Sequence, residues 1–276
     1  MYHHKIQDWD DAYTNGANIP GGDRWPDAWV GPAKAYREER QAAGKVKLGV
    51  AYGERPRNRF DLFLPDAEPK GLVIFIHGGY WMRFDQSFWS HLARGPIAHG
   101  YAVAMPTYTL CPENRIAGIV AEIAQAVEKI ASLVGGPIHL TGHSAGGHLA
   151  TRLVCVDTPL SEAVKARIRN VVSISGLHDL RSMMRLTMNE TLRIDHAEAM
   201  AESPVFLEPL EDVRVTCWVG GGERSEFIRH SKLLANAWLG VGGATAYVEE
   251  PDRHHFNIID GLADPAHPLT RTLLAD

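Results

Sequence analysis

The segment Thr141-Gly142-His143-Ser144-Ala145-Gly146-Gly147 constrains this chain more than any other. It follows the short run Ile138-His139-Leu140, which the breakers Gly135-Gly136-Pro137 open. It precedes a stretch that places Leu149, Leu153, Val154 and Val156 and stops before Pro159. A short apolar run bounded by breakers predicts a buried strand, and the following spacing predicts a helix packed on a sheet. The G-x-S-x-G spacing is then a sharp strand-to-helix turn with Ser144 at its apex. The glycines let that turn tighten and let the helix approach its neighbours closely. A serine placed there stands clear of the backbone, and the helix N-terminus faces any negative charge that forms beside it.

Upstream, Leu72-Val73-Ile74-Phe75-Ile76 is apolar throughout, as expected of a strand buried on both faces of a parallel sheet. It ends in His77-Gly78-Gly79-Tyr80-Trp81, an H-G-G-x-W form of the loop whose backbone amides stabilise an oxyanion in esterases and lipases. The expected donors are the amides of Gly79, Tyr80 and Ala145, with Gly78 shaping the turn. Losing one such donor typically costs about a hundred- to thousand-fold in rate.

The rest of the chain supplies an alternating βα series. Residues 45–52 and 59–64 alternate polar and apolar positions and predict an antiparallel pair at one edge of the sheet. Further strands are expected at 101–105, 170–174, 213–219 and 245–248, and a helix near 87–99. Ile116, Ile119, Val120, Ile123, Val127, Ile130 and Val134 give the clearest helical stripe. The alternation predicts an α/β fold, a mostly parallel central sheet with helices on both faces and all ligand-binding loops at one edge. Residues 1–44 break the rhythm. They carry Trp9, Tyr13, Trp25, Trp29 and Tyr36 among turn formers and are expected to form an arm packed on a single domain of residues 45–276. Part of that arm could roof the site.

Composition narrows the partners. Of 276 residues, 45% are hydrophobic and 22% charged, with a net charge of −5, which favours neither nucleic acid nor an anionic membrane. No apolar run is long enough to span a membrane, and residues 1–8 do not resemble a signal peptide. The three scattered cysteines, Cys111, Cys155 and Cys217, point to a reducing, cytoplasmic setting. A small-molecule acyl substrate is the expected partner. A two-fold homodimer is expected if a second copy covers the edge strands or the arm.

A serine nucleophile needs a base, and the base needs a carboxylate to fix its tautomer. In this topology the chain order is serine, acid, histidine. Glu223 is the first carboxylate past the strand at 213–219, after Gly220-Gly221-Gly222; Glu226 and Asp179 are its rivals. The last strand leads to His254-His255-Phe256-Asn257. His255 is preferred as base because it directly precedes an apolar anchor and a helix start. Adjacent histidines rarely share an ion, so neither metal nor cofactor is expected. His77 and His143 read as supports near the site, and His3-His4 as inert. Trp81, Tyr108, Leu177 and His178 should lie at the same sheet edge and form the substrate pocket.

These motifs resemble the α/β-hydrolase fold and, within it, the kynurenine formamidase (arylformamidase)-like branch. The resemblance rests on HGGYW at 77–81, GHSAGGHLA at 142–150, SEF at 225–227, HHFNII at 254–259, Asp11-Ala12-Tyr13, Pro106-Thr107-Tyr108 and SGLHDL at 175–180. It implies Ser144, Glu223 and His255 as a triad. The acid is often aspartate in that family and is glutamate here. The implied activity is hydrolysis of a small acyl ester or an aryl formamide such as N-formylkynurenine. The alternatives are a generic short-chain carboxylesterase and, more remotely, a ligand-binding protein on the same scaffold.

Overall fold

A computed structural model describes residues 5–275; His3 and His4 lie outside the described residues. Eight strands form one sheet in the order β1-β2-β4-β3-β5-β6-β7-β8. They are β1 (Val46–Ala51), β2 (Arg59–Phe63), β3 (Leu72–Ile76), β4 (Ala102–Pro106), β5 (Ile138–His143), β6 (Ile168–Ile174), β7 (Arg214–Gly220) and β8 (Ala244–Glu250). β2 runs antiparallel to both its neighbours, and every pairing from β4 to β8 is parallel.

The five apolar residues of β3 explain its central place. All are buried, and successive side chains face opposite sides of the sheet. Leu72, Ile74 and Ile76 join one core with the helices Ile116–Ala131 and Ala145–Arg152. Val73 and Phe75 join a second core with Trp29, Tyr36, Trp89 and Ile259. β3 also marks the topological switch. The chain steps from β3 to β4 on one side, then crosses back to β5 on the other. The loops after β3 and β5 therefore diverge and leave a crevice at the strand C-termini.

The helix Ile116–Ala131 buries the predicted stripe at Ile116, Ile119, Val120, Ile123, Val127 and Ile130. Two helical expectations change. The stretch near 87–99 is a 3-10 segment, Gln86–Ala93, kinked at Trp89 and followed by the short helix Arg94–Ala98. Pro96 has no amide to donate to the carbonyl of residue 92, so a continuous α-helix is interrupted where the two segments join. The elbow helix ends at Arg152 rather than 156. Arg152 is drawn into ion pairs with Asp157 and Glu202, and the chain turns to reach them. The arm is more ordered than its composition suggests. It contains the helix Trp25–Ala42, which buries Trp29, Ala33, Tyr36 and Arg40 as one stripe.

The packing makes the protein acid-labile. Burial pushes His77, His91 and His148 down to about 4. It holds His143, His178 and His230 well below the ordinary histidine value. These side chains are neutral in the fold and protonate near pH 6.5 once unfolded. The unfolded chain thus binds more protons between pH 4 and 6.5, so stability rises with pH across that window. Asp61, Glu202 and Asp260 oppose this, since burial raises their carboxyls, that of Asp260 to about 6. These three groups favour the fold at lower pH and are outnumbered by the six histidines. For His77, His91 and His148 the linked stabilisation is on the order of 1–2 kcal/mol each at pH 5, a large share of the stability of a whole domain. The melting temperature should fall by more than about 10 °C between pH 7.5 and 5; a flat profile over that range would refute the account.

Candidate active site

Ser144 sits at the apex of the turn between β5 and the helix Ala145–Arg152, with φ 56° and ψ −118°. A non-glycine residue pays about 1–3 kcal/mol for such a conformation, and it persists because the surroundings over-determine it. The Ser144 amide donates to Ile174 O at 2.8 Å, tying the apex to the end of β6. Gly146 permits the close approach, since a Cβ there would lie 2.0 Å from Ile76 O at the end of β3. Gly78 is confined from the other side, where a Cβ would meet His143 O at 2.7 Å and Ser144 Cβ at 3.0 Å. The β3 loop and the serine turn are therefore pressed against each other.

Three residues in a row of that loop, Gly79, Tyr80 and Trp81, have positive φ. The turn is closed by Met82 N and Arg83 N, which both donate to Gly79 O at 3.0 Å. The amides of Gly79 and Tyr80 donate to no acceptor among the described residues. The Ala145 amide opens a helix, where first-turn N–H groups lack an intrahelical partner. All three expected oxyanion donors are thus available on loops that meet at Ser144.

Glu223 and His255 come together from the loops after β7 and β8. His255 Nδ1–H donates to Glu223 Oε2 at 2.6 Å, and both side chains are buried. The other carboxylate oxygen accepts from Gly220 N at 2.9 Å and from the Ser175 hydroxyl. That oxygen thus has two donors of its own, which leaves Oε2 to the imidazole. The two loops are stitched by Gly221 N to Glu250 O (2.8 Å) and Gly222 N to Arg253 O (2.9 Å). The ring of Phe227 lies 4.4 Å from that of His255, and the ring of His143 lies 4.5 Å from it. Ser144 and His255 are only 2% and 3% exposed.

The rival residues are engaged elsewhere. Glu226 pairs with Arg229 at 2.7 Å and accepts from the Tyr13 hydroxyl at 3.0 Å. Asp179 pairs with Arg181 at 2.8 Å. His254 Nδ1 accepts from Phe256 N, and its ring packs on Trp25. His77 stacks on Tyr108 with ring centroids 4.4 Å apart. Ser175 was not legible as a site residue. Its signal is positional, for it directly follows β6, which lies between the strands that lead to Ser144 and Glu223.

The four expected pocket residues all lie in the interior. Trp81, Tyr108, Leu177 and His178 are fully buried. Trp81 packs edge-on against His148 at 5.2 Å. The Tyr108 hydroxyl donates to His77 O, and His178 makes contacts with Thr151 and Ser173. They hold the loops from behind. Half-buried rings at this edge include those of Trp25, Tyr80, Phe84 and Phe256. Among the described residues no His, Cys, Asp or Glu cluster could hold a metal ion, and no helix is long and apolar enough to cross a membrane.

The chain is similar in sequence and fold to known proteins. The BD-FAE family matches residues 60–208. A kynurenine formamidase of Danio rerio is 28% identical over 257 residues, 90% of this chain and 87% of its own. A crystal structure from Silicibacter sp. tm1040, described as a candidate thioesterase, superposes with a TM-score of 0.92 at 48% identity, over 96% of this chain and 98% of that one. Esterase B of Lactobacillus rhamnosis shares the fold at a TM-score of 0.66 and 17% identity, over 91% of each chain.

Proposed function

Because this chain belongs to the BD-FAE family of the α/β-hydrolase fold, we propose that it is a serine hydrolase that cleaves small acyl esters and aryl formamides through Ser144, His255 and Glu223. The observation that carries this reading is the 2.6 Å bond from His255 to a Glu223 whose other oxygen is already saturated. That bond places the neutral imidazole proton on Nδ1 and leaves Nε2 unprotonated to act as base.

Ser144 Oγ attacks the acyl carbon as its proton passes to His255 Nε2. The carbonyl π electrons move onto oxygen, and the oxyanion is met by the amides of Gly79, Tyr80 and Ala145, with Gly78 shaping the loop. Collapse of the intermediate breaks the bond to the leaving group, which takes the proton from His255. Water then attacks the acyl-serine with His255 again as base, releasing the acid and restoring Ser144. Glu223 stays ionised throughout and stabilises the imidazolium. No step needs a cofactor.

Likeness to kynurenine formamidases, together with the half-buried rings of Trp25, Phe84 and Phe256 beside the loops, favours an aromatic leaving group. N-formylkynurenine is such a substrate. Trp81, Tyr108, Leu177 and His178 back the pocket from within. The competing reading is a short-chain carboxylesterase, favoured by the esterase and thioesterase neighbours. Turnover of N-formylkynurenine compared with phenyl acetate separates the two. We expect kcat/KM for the formamide to equal or exceed that for the ester. Brisk ester cleavage with formamide turnover at background would establish the carboxylesterase.

A further inference from the structure

The N-terminal arm changes sides of the sheet. Tyr13 is packed in the core with Leu72, Ile74 and Ile76, whereas Trp29 is packed in the core with Val73 and Phe75. Alternate residues of one strand face opposite sides, so the chain between these anchors must cross an edge of the sheet. Its contacts identify the edge. Tyr13 O accepts from the Tyr80 hydroxyl on the β3 loop. Asp11 pairs with Arg224, next to Glu223, and Asn18 Oδ1 accepts from Arg224 at 3.2 Å. Gly16 faces the Phe256 ring, next to His255, and a Cβ placed on it would lie 4.0 Å from that ring. Residues 14–24 therefore run as a strap across the strand C-termini, joined to the loops that carry the oxyanion donors, the acid and the base.

Asn15 lies within this strap, between the contact to Tyr80 and the contact to Phe256. It is 6% exposed, and its Nδ2 is buried with no hydrogen-bond partner among the described residues. Leaving a buried amide donor unpaired is costly, and native chains seldom do so without a use for the group. In the proposed reaction, His255 hands its proton to the leaving group, so the leaving group lies on the histidine side, where Gly16 meets Phe256.

Resting on the serine-hydrolase reading, we infer that Asn15 is a specificity-determining residue whose side-chain amide donates to an oxygen acceptor on the leaving group of the acyl substrate. A carbonyl ortho to the scissile bond of an aryl ester or formamide has this chemistry. A site built to hydrogen-bond such a group discriminates against the analogue that lacks it.

The test uses phenyl acetate and 2-acetylphenyl acetate, which share the acyl group and differ only in the ortho ketone. Wild-type protein, Asn15→Ala, Asn15→Asp and Ser144→Ala are assayed on both as the full chain, with melting temperatures recorded. The ratio of kcat/KM values, ketone-bearing over plain, should fall about tenfold in Asn15→Ala, the worth of one hydrogen bond. It should fall further in Asn15→Asp, which keeps the shape and replaces the donor by an acceptor. An unchanged ratio in both variants overturns the inference, whether absolute rates drop or not. Full activity of Ser144→Ala on both esters would instead remove the serine reading, and the inference with it. An unchanged ratio alongside an inactive Ser144→Ala would remove the inference alone.

Discussion

Alanine at Ser144 should lower kcat on aryl esters by about five to six orders of magnitude, the loss seen when a serine nucleophile is removed from a complete triad. The remaining rate would come from oxyanion donors and binding alone. The fold should survive, because Ser144 is held by its backbone. Its amide bonds to Ile174 O, and its φ of 56° is imposed by the packed turn rather than by its hydroxyl. Stopped-flow or steady-state assay of the purified variant, with melting temperature as control, measures both effects. Retention of more than about one per cent of wild-type turnover, with contamination excluded by active-site titration, would place the nucleophile elsewhere.

The second large effect belongs to the acid. Glu223→Gln keeps the length of the side chain and the space it fills. The amide can, however, present an N–H to His255 Nδ1, which would then favour the wrong tautomer and place a proton on Nε2. A carboxylate-to-amide change at this position of a serine-protease triad costs about 10⁴ in kcat. A similar loss is expected here, without a comparable rise in KM. Glu226→Gln is the informative control. Glu226 pairs with Arg229 and accepts from Tyr13, so its loss should loosen the arm and leave most of kcat intact. Were Glu226→Gln the variant with the ten-thousand-fold loss, the acid would have been assigned to the wrong turn of the loop.

Much of this site was legible because its parts are local. The turn at Ser144 needs small residues at fixed offsets and an apolar run before it, and both are written in consecutive positions. The same holds for His77-Gly78-Gly79 after β3. Chain order then ranked the acid and base candidates by strand, and the structure brings the favoured pair, Glu223 and His255, within 2.6 Å. The helix Trp25–Ala42 was harder to see. Pro32 lies inside it and Gly31 beside that proline, and both lower helix propensity. Its stripe of Trp29, Ala33, Tyr36 and Arg40 mixes aromatic, small and charged residues, and packing rather than propensity holds it helical.

The sequence by itself determined the elements that bear the chemistry, because a strand buried on both faces, a glycine-bounded serine turn and a helical stripe are patterns of neighbours in the chain. Tertiary structure alone decided which distant residues meet them. Ser175 reaches Glu223 across 48 positions, and Tyr80 reaches Tyr13 across 67. It also decided that Trp81 and Tyr108 are buried as supports while Trp25 and Phe256 keep half-exposed rings. An aromatic side chain buries wherever a face is offered to it. Which face that is depends on where the arm crosses the sheet, and no spacing within residues 1–44 encodes the crossing.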